Sequence, residues 1–310
     1  MTERSRFETS PPRLSGLWLP LITPFLDGRL DEASLARLVA HYALQPIDGL
    51  ILAATTGEAL TLDFAETERL VDVAAETSGG GLPLYLGLAG SDTRALLRWL
   101  DQTADWPVDG YLISCPHYSR PSQEGLYRHF TALAGATARP ILLYNIPYRT
   151  GVNLSNETLL HLAEQSNIVG LKDCCADAQQ SFDLLCARPS DFAVLTGEDA
   201  LFHAALAQGA DGGILASAHV ETTRFAAVLA AMRENDLHRA LRLWRELIAV
   251  PRLLFSEPSP AALKHWLWRQ GLIASPEVRL PMTGVTAGLA ALLDAELAAR
   301  GLQQGRGRAA

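Results

Sequence analysis

Lysine is almost absent from this 310-residue chain: of its 26 basic residues only Lys172 and Lys264 are lysine. Chemistry that needs a side-chain amine therefore has two candidates. Cysteine is scarce as well. Cys115, Cys174, Cys175 and Cys186 suggest neither a disulfide framework nor a zinc knuckle, and a reducing cytoplasm is the default. Adjacent Cys174 and Cys175 bridge each other only with strain, so they read as small apolar packing. No apolar run approaches the ~20 residues of a membrane helix, and polar Met1–Pro12 lacks the apolar core of a signal peptide. The histidines form no HxH or HxxxH pair at a strand end, which argues against metal chemistry. GxGxxG and GxxxxGKS/T are both missing, so neither standard nucleotide site is expected. A net charge of −8 argues against nucleic acid or an anionic membrane as partner.

What is present is a packed globular chain, 48% hydrophobic. Eight short, almost continuously apolar runs read as strands buried on both faces: Gly16–Ile22, Gly49–Thr55, Pro83–Leu88, Gly110–Ser114, Ile141–Asn145, Ile168–Lys172, Phe192–Thr196 and Gly212–Ala216. Asp-Gly precedes three of them, at Asp48-Gly49, Asp109-Gly110 and Asp211-Gly212, as a repeated βα unit would produce. Between the runs lie helical stripes. Leu35, Leu38, Val39 and Tyr42 form one, with Asp31 as N-cap; Leu126, Phe130 and Leu133 form another after Pro121-Ser122; Asp63 and Glu66 spell a capping box. Eight strands alternating with helices predict a (β/α)₈ TIM barrel, with a doubly wound sheet as runner-up. The pattern divides the chain into a disordered lead-in (1–13), a barrel (14–235), a helical appendage (236–302) and a disordered tail (303–310). In the appendage, Leu237–Phe255, Pro260–Gly271 and Thr283–Arg300 read as helices.

In such barrels the reacting groups stand where strands end. Those positions offer Thr55 and Thr56, Tyr118, Tyr144 and Lys172. Lys172 ends the run Ile168-Val169-Gly170-Leu171, so its stem should enter the barrel mouth. Burial there disfavours the ammonium and supplies a neutral amine for carbonyl attack; pairing with Asp173 is the plain alternative. Lys264 lies in a helix of the appendage and reads as a surface or interface charge. Tyr144 ends the strand before that of Lys172 and could relay the protons of imine formation, or simply pack. Thr55-Thr56-Gly57-Glu58 offers hydroxyls and backbone N–H groups suited to a carboxylate, or is only a strand-to-helix turn.

Several motifs resemble the dihydrodipicolinate synthase family, which also includes N-acetylneuraminate lyase and other keto-acid aldolases and dehydratases. They are Thr55-Thr56-Gly57-Glu58, the run Arg120 to Tyr127, Tyr144-Asn145-Ile146-Pro147, Arg149-Thr150-Gly151 and Gly170-Leu171-Lys172-Asp173, with Ser256-Glu257-Pro258 and Leu280-Pro281-Met282-Thr283 further on. The resemblance implies a lyase in which Lys172 forms an imine with pyruvate and no separate cofactor or metal takes part. It implies Tyr144 as acid/base, Thr55 and Tyr118 as a proton relay with Tyr118 reaching in from a neighbouring subunit, and Thr56 with the backbone at Ile214 on the pyruvate carboxylate. Arg149 would meet the carboxylate of an aldehyde, aspartate semialdehyde. A cytoplasmic homo-oligomer, a dimer of dimers, goes with it. Other readings are an aldolase or dehydratase acting on a sugar-derived or hydroxy keto acid, and a non-catalytic keto-acid-binding barrel. The chain departs from the family pattern at Ala53-Ala54, Ala59, Cys174-Cys175 and His117. The positions that bind lysine in feedback-inhibited members read Ala59, Phe64, Thr67, Ser91, Ala95 and His117, a set without a carboxylate.

Overall fold

A computed structural model describes residues 14–302; the expected lead-in and tail lie outside the described residues. In chain order the elements are β1 (Gly16–Pro20), a hairpin β2 (Phe25–Leu26) and β3 (Arg29–Leu30), α1 (Glu32–Ala43), β4 (Gly49–Leu52), α2 (Phe64–Ser78), β5 (Leu84–Leu88), α3 (Thr93–Gln102), β6 (Gly110–Ser114), α4 (Gln123–Ala134), β7 (Ile141–Asn145), α5 (Pro147–Thr150), α6 (Asn156–Leu162), β8 (Ile168–Asp173), α7 (Ala178–Ala187), β9 (Ala193–Thr196), α8 (Phe202–Gln208), β10 (Gly212–Ile214) and α9 (Thr222–Arg233). Then come α10 (Leu237–Leu247), α11 (Ala249–Leu254), α12 (Ala261–Arg269) and α13 (Ala287–Ala299). Strands β1, β4–β10 close in sequence order into one parallel barrel, with β10 pairing back to β1. The expected (β/α)₈ barrel is what forms.

The apolar runs are continuous because each strand serves two cores. Trp18, Ile51, Tyr85, Leu112, Leu142 and Ile214 point into the barrel and pack together. Their neighbours, such as Leu17, Leu19, Leu50, Leu52, Leu84 and Leu86, point outward and pack under the helices. Period-two alternation between two apolar layers reads as an unbroken hydrophobic run.

The Asp-Gly repeats have a shared function at the amino ends of the strands. The carboxylates of Asp48, Asp109 and Asp211 accept the backbone N–H of Leu17 (2.7 Å), Leu84 (2.8 Å) and Val194 (2.8 Å), each on the neighbouring strand. The glycines make room for interior rings: a Cβ at Gly49 would fall 2.2 Å from Trp18, and one at Gly110 2.6 Å from Tyr85. Helix starts also follow the sequence. Asp31 accepts from the Ser34 N–H at 3.0 Å, and Asp63 and Glu66 form the reciprocal capping box.

Two local features differ from expectation. The stretch Leu237–Phe255 is two helices, α10 and α11, rather than one. Pro251 lacks an N–H and its ring crowds the carbonyl four residues back, so the helix restarts at the break. The β2–β3 hairpin was not expected; its Asp27-Gly28 turn is a standard hairpin signal, but two-residue strands leave no periodicity to read.

Lys264 is the larger correction. It is not a surface charge: its side chain is fully buried, ion-paired with Glu58, and its Nζ donates to the Glu277 carbonyl at 2.8 Å. Its ammonium lies 4.2 Å from the Phe25 ring centroid, a cation–π contact. Seven consecutive residues of α12, Ala261 to Leu267, are buried, so this stretch leaves no face for a surface charge.

Candidate active site

The carboxyl ends of the strands open into a cavity of about 330 Å³ whose lining includes Thr55, Ser114, His117, Tyr144 and Arg149. Its walls are mostly apolar, and Pro260, Pro281 and Met282 bring the C-terminal region to its rim. Of the expected residues, Thr55, Tyr144 and Arg149 meet in this space. Lys172 lies one side chain further in. Tyr144 and Lys172 are paired across β7 and β8, and the Lys172 Nζ is 4.3 Å from the centre of the Tyr144 ring.

Outward-facing Leu171 belongs to the layer under the helices, so alternation turns Lys172 inward, where only 4% of it is exposed. The Asp173 carboxylate is engaged by other groups. The Asp173 carboxylate accepts from the Cys175 N–H at 3.0 Å and from the Ser181 hydroxyl. Burial pushes the Lys172 amine below its usual value, against the pull of Cys174, Asp199 and Glu198. Desolvation also holds Tyr144 well above the usual phenol range, so it carries its proton at neutral pH; Thr55 hydrogen-bonds to it and works in the opposite direction. An amine whose neutral form burial favours, beside a protonated phenol, is the pairing that carbonyl attack and dehydration need.

The threonine turn is held from several sides. The Thr23 hydroxyl donates to the Gly57 carbonyl at 2.7 Å, and the backbone N–H groups of Glu58 and Ala59 donate to Thr55 and Ala54. Thr56 is buried beside Thr55. Glu58 sits in the left-handed region at φ 54°, ψ 38°, which costs a non-glycine residue about 1–2 kcal/mol. Ile214, at the end of β10, is buried in the same interior cluster as Tyr144 and Cys174. Arg149 is exposed at the rim, where α5 follows β7. Tyr118 is not brought to the others: it is 93% exposed and does not line the cavity.

Sequence reasoning passed over the loop after β9. Gly197 packs directly on the lysine: an added Cβ would lie 2.5 Å from the Lys172 Cε and 2.4 Å from the Cys174 Sγ. Glu198 accepts from the Tyr148 hydroxyl at 2.9 Å. Asp199 is buried, accepts from the Ser217 N–H, and burial pushes its carboxyl up to about 6. The signal was available, because Gly197-Glu198-Asp199 follows the strand Phe192–Thr196 at a strand end like those already considered. Cys174 is buried against this group, and desolvation holds its thiol well above the ordinary range. Among the described residues, no three His, Cys, Asp or Glu side chains are grouped to hold a metal ion.

A parallel eight-stranded barrel with a buried, inward lysine at the carboxyl ends of its strands has the architecture of a (β/α)₈ enzyme. The model of the dihydrodipicolinate synthetase family matches residues 13–299, and the chain belongs to that family. It is 41% identical over 277 residues to 4-hydroxy-tetrahydrodipicolinate synthase 2 of Clostridium acetobutylicum, covering 89% of this chain and 97% of that one. Among solved structures, dihydrodipicolinate synthase from Aquifex aeolicus superposes with a TM-score of 0.91 at 30% identity, covering 94% of this chain and all of that one. A chloride-inhibited dihydrodipicolinate synthase from Acinetobacter baumannii, complexed with pyruvate, gives 0.89 at 33% identity, over 93% of this chain and 99% of that one.

Proposed function

We propose that this enzyme condenses pyruvate with L-aspartate 4-semialdehyde through an imine at Lys172, the reaction of a 4-hydroxy-tetrahydrodipicolinate synthase in lysine and diaminopimelate biosynthesis. The observation that carries the reading is the buried Lys172 amine, 4.3 Å from the centre of the Tyr144 ring. The neutral amine attacks the keto carbon of pyruvate, and the carbinolamine oxygen takes a proton from the Tyr144 phenol and leaves as water. Loss of a methyl proton from the imine gives an enamine, whose carbon attacks the aldehyde. The amino group brought by the semialdehyde then attacks the imine carbon, closing the ring and releasing the free lysine in place of the Lys172 C=N bond. Thr55 passes the proton between Tyr144 and the next hydroxyl. Thr56 and the backbone at Ile214 hold the pyruvate carboxylate, and the Arg149 guanidinium offers a planar fork to the carboxylate of the aldehyde.

Tyr118 is the relay member that one chain does not bring to its own cavity. On this reading a second copy supplies it, and the working unit is a homo-oligomer, a dimer of dimers. The substrates and the absence of a long apolar helix among the described residues fit a cytoplasmic enzyme. Pyruvate and borohydride should add one reduced pyruvate per chain, found by mass spectrometry at Lys172. A coupled assay should then prefer aspartate semialdehyde over a panel of sugar-derived keto-acid substrates. Modification at Lys264, or none, would refute the role of Lys172; cleavage of a sugar-derived acid without use of the semialdehyde would refute the substrate.

A further inference from the structure

The second lysine has no part in the chemistry above, yet it is fully buried and tied to the loop that carries Thr55. We propose that Lys264 is a positioning residue: with Glu58 it clamps the C-terminal helical region onto the threonine turn and so sets the place of Thr55 against Tyr144. The proposal rests on the role of Lys172 and Tyr144 argued under the proposed function.

The connections run in one direction through the molecule. Lys264, on α12, ion-pairs with the Glu58 carboxylate. The other carboxylate oxygen accepts the backbone N–H of Arg279 at 2.9 Å. The Arg279 side chain donates to the carbonyls of Thr61 (2.9 Å) and Gly28 (2.8 Å) and pairs with Glu66. Lys264 and Arg279 both lie over Phe25, at 4.2 and 4.1 Å from the ring centroid. The hairpin, the threonine turn, the start of α2 and the C-terminal region are thus joined through Arg279 to Glu58. That residue is three positions from Thr55 and holds a backbone conformation that only outside contacts sustain. Because its N–H donates to the Thr55 carbonyl, movement of Glu58 moves the turn.

A buried ion pair is a poor device for stability, since well-packed apolar residues commonly do as well or better. It does fix direction and register, which is what a turn carrying a proton relay requires. Glu58 also lines the cavity, so the clamp acts at the wall of the site.

Two variants separate positioning from folding. Glu58→Gln keeps the volume and lets Lys264 shed its charge; Glu58→Gln/Lys264→Met leaves no charge buried. Each is compared with the parent enzyme in the full chain for thermal stability, for the rate of borohydride trapping of pyruvate at Lys172, and for KM and kcat. Both variants should trap more slowly and show at least a tenfold loss in kcat/KM for pyruvate, with a raised KM, even where the melting temperature is kept. A structural role alone would lower kcat in proportion to the folded fraction and leave KM unchanged, and that result overturns the proposal. Wild-type KM and trapping rate in the double variant overturn it too. If the parent enzyme forms no adduct at Lys172, the functional reading falls and this inference with it, a result distinct from normal trapping in parent and variants alike. If the double variant does not fold, Glu58→Gln carries the same comparison, and failure of both to fold assigns the pair to folding and overturns the proposal.

Discussion

Alanine at position 197 would place a methyl carbon 2.5 Å from the Lys172 Cε and 2.4 Å from the Cys174 Sγ. Carbon contacts are comfortable only from about 3.5 Å, so roughly 1 Å has to be found. The backbone at Gly197 has no left-handed strain, and its N–H is fixed to the Asp173 carbonyl at 2.8 Å. The two nearest atoms, Cys174 Sγ and Lys172 Cε, lie near the ends of side chains, with Lys172 Cγ next at 3.0 Å, so the lysine and the thiol should move rather than the strands. Overpacking of this kind costs about 1–3 kcal/mol, and side-chain relief puts the expected loss at the lower end, a fall in Tm of about 2–4 °C. The amine, however, is displaced by about 1 Å, an error on the scale that costs about 10²-fold in rate. Gly197→Ala should therefore melt close to the parent while forming the reduced pyruvate adduct about 100-fold more slowly. The assay is time-resolved borohydride trapping with mass readout at Lys172, alongside thermal unfolding by circular dichroism. Trapping at the parental rate by a normally folded variant would refute the placement of the reacting amine beside Gly197.

Tyr144→Phe removes one hydroxyl and should lower turnover in the coupled assay by about 10²–10⁴-fold with the fold kept; an active variant would move the proton route elsewhere. Arg149→Lys keeps the charge but loses the fork, so KM for aspartate semialdehyde should rise while pyruvate trapping holds its rate. Asp199 has its carboxyl raised by burial from 3.8 to about 6, so its contribution to stability is full below the unfolded value and is lost as pH rises through 6. Asp199→Asn should thus gain in Tm relative to the parent between pH 5 and pH 8, and a pH-independent difference in thermal melts would refute the buried-carboxylate argument.

Barrel strands were legible because their apolar runs are long enough to exceed chance and are punctuated by Asp-Gly. Ile141–Asn145 and Gly110–Ser114 were read to their observed ends, and Lys172 and Tyr144 stand out as polar residues closing apolar runs. The loop after β9 follows a strand end and its acidic residues could have been read, but Gly197 matters through a contact with Lys172 that only the closed barrel creates. Lys264 misled for a related reason. A helix shows its own polar and apolar faces, but its partner Glu58 lies 206 positions away in sequence, and burial by other elements leaves no local trace. Tyr118 was read as a strand-end residue, whereas it stands outward beyond β6 in a left-handed backbone position, φ 69°, where periodicity does not govern side-chain direction.

Feedback by free lysine should be absent from this enzyme. In feedback-inhibited relatives lysine is expected between subunits, at the positions that read here Ala59, Phe64, Thr67, Ser91, Ala95 and His117. A lysine ligand brings two ammonium groups and a carboxylate, and each must be paired once removed from water. None of the six residues is an anion. Phe64 is engaged in an aromatic cluster, its ring 5.1 Å from Trp99 and 5.2 Å from Trp106. Two hydroxyls already have acceptors: Thr67 donates to the Asp63 carbonyl at 2.8 Å and Ser91 to the His117 carbonyl at 2.6 Å. Ala59 and Ala95 have no polar side-chain atom to offer. An ammonium placed here would meet hydroxyl oxygens and ring faces in place of a carboxylate. Millimolar lysine should therefore leave turnover unchanged in the coupled assay and give no saturable heat when titrated into pyruvate-loaded enzyme. Saturable binding accompanied by inhibition would show that another set of residues on this chain supplies the missing charge.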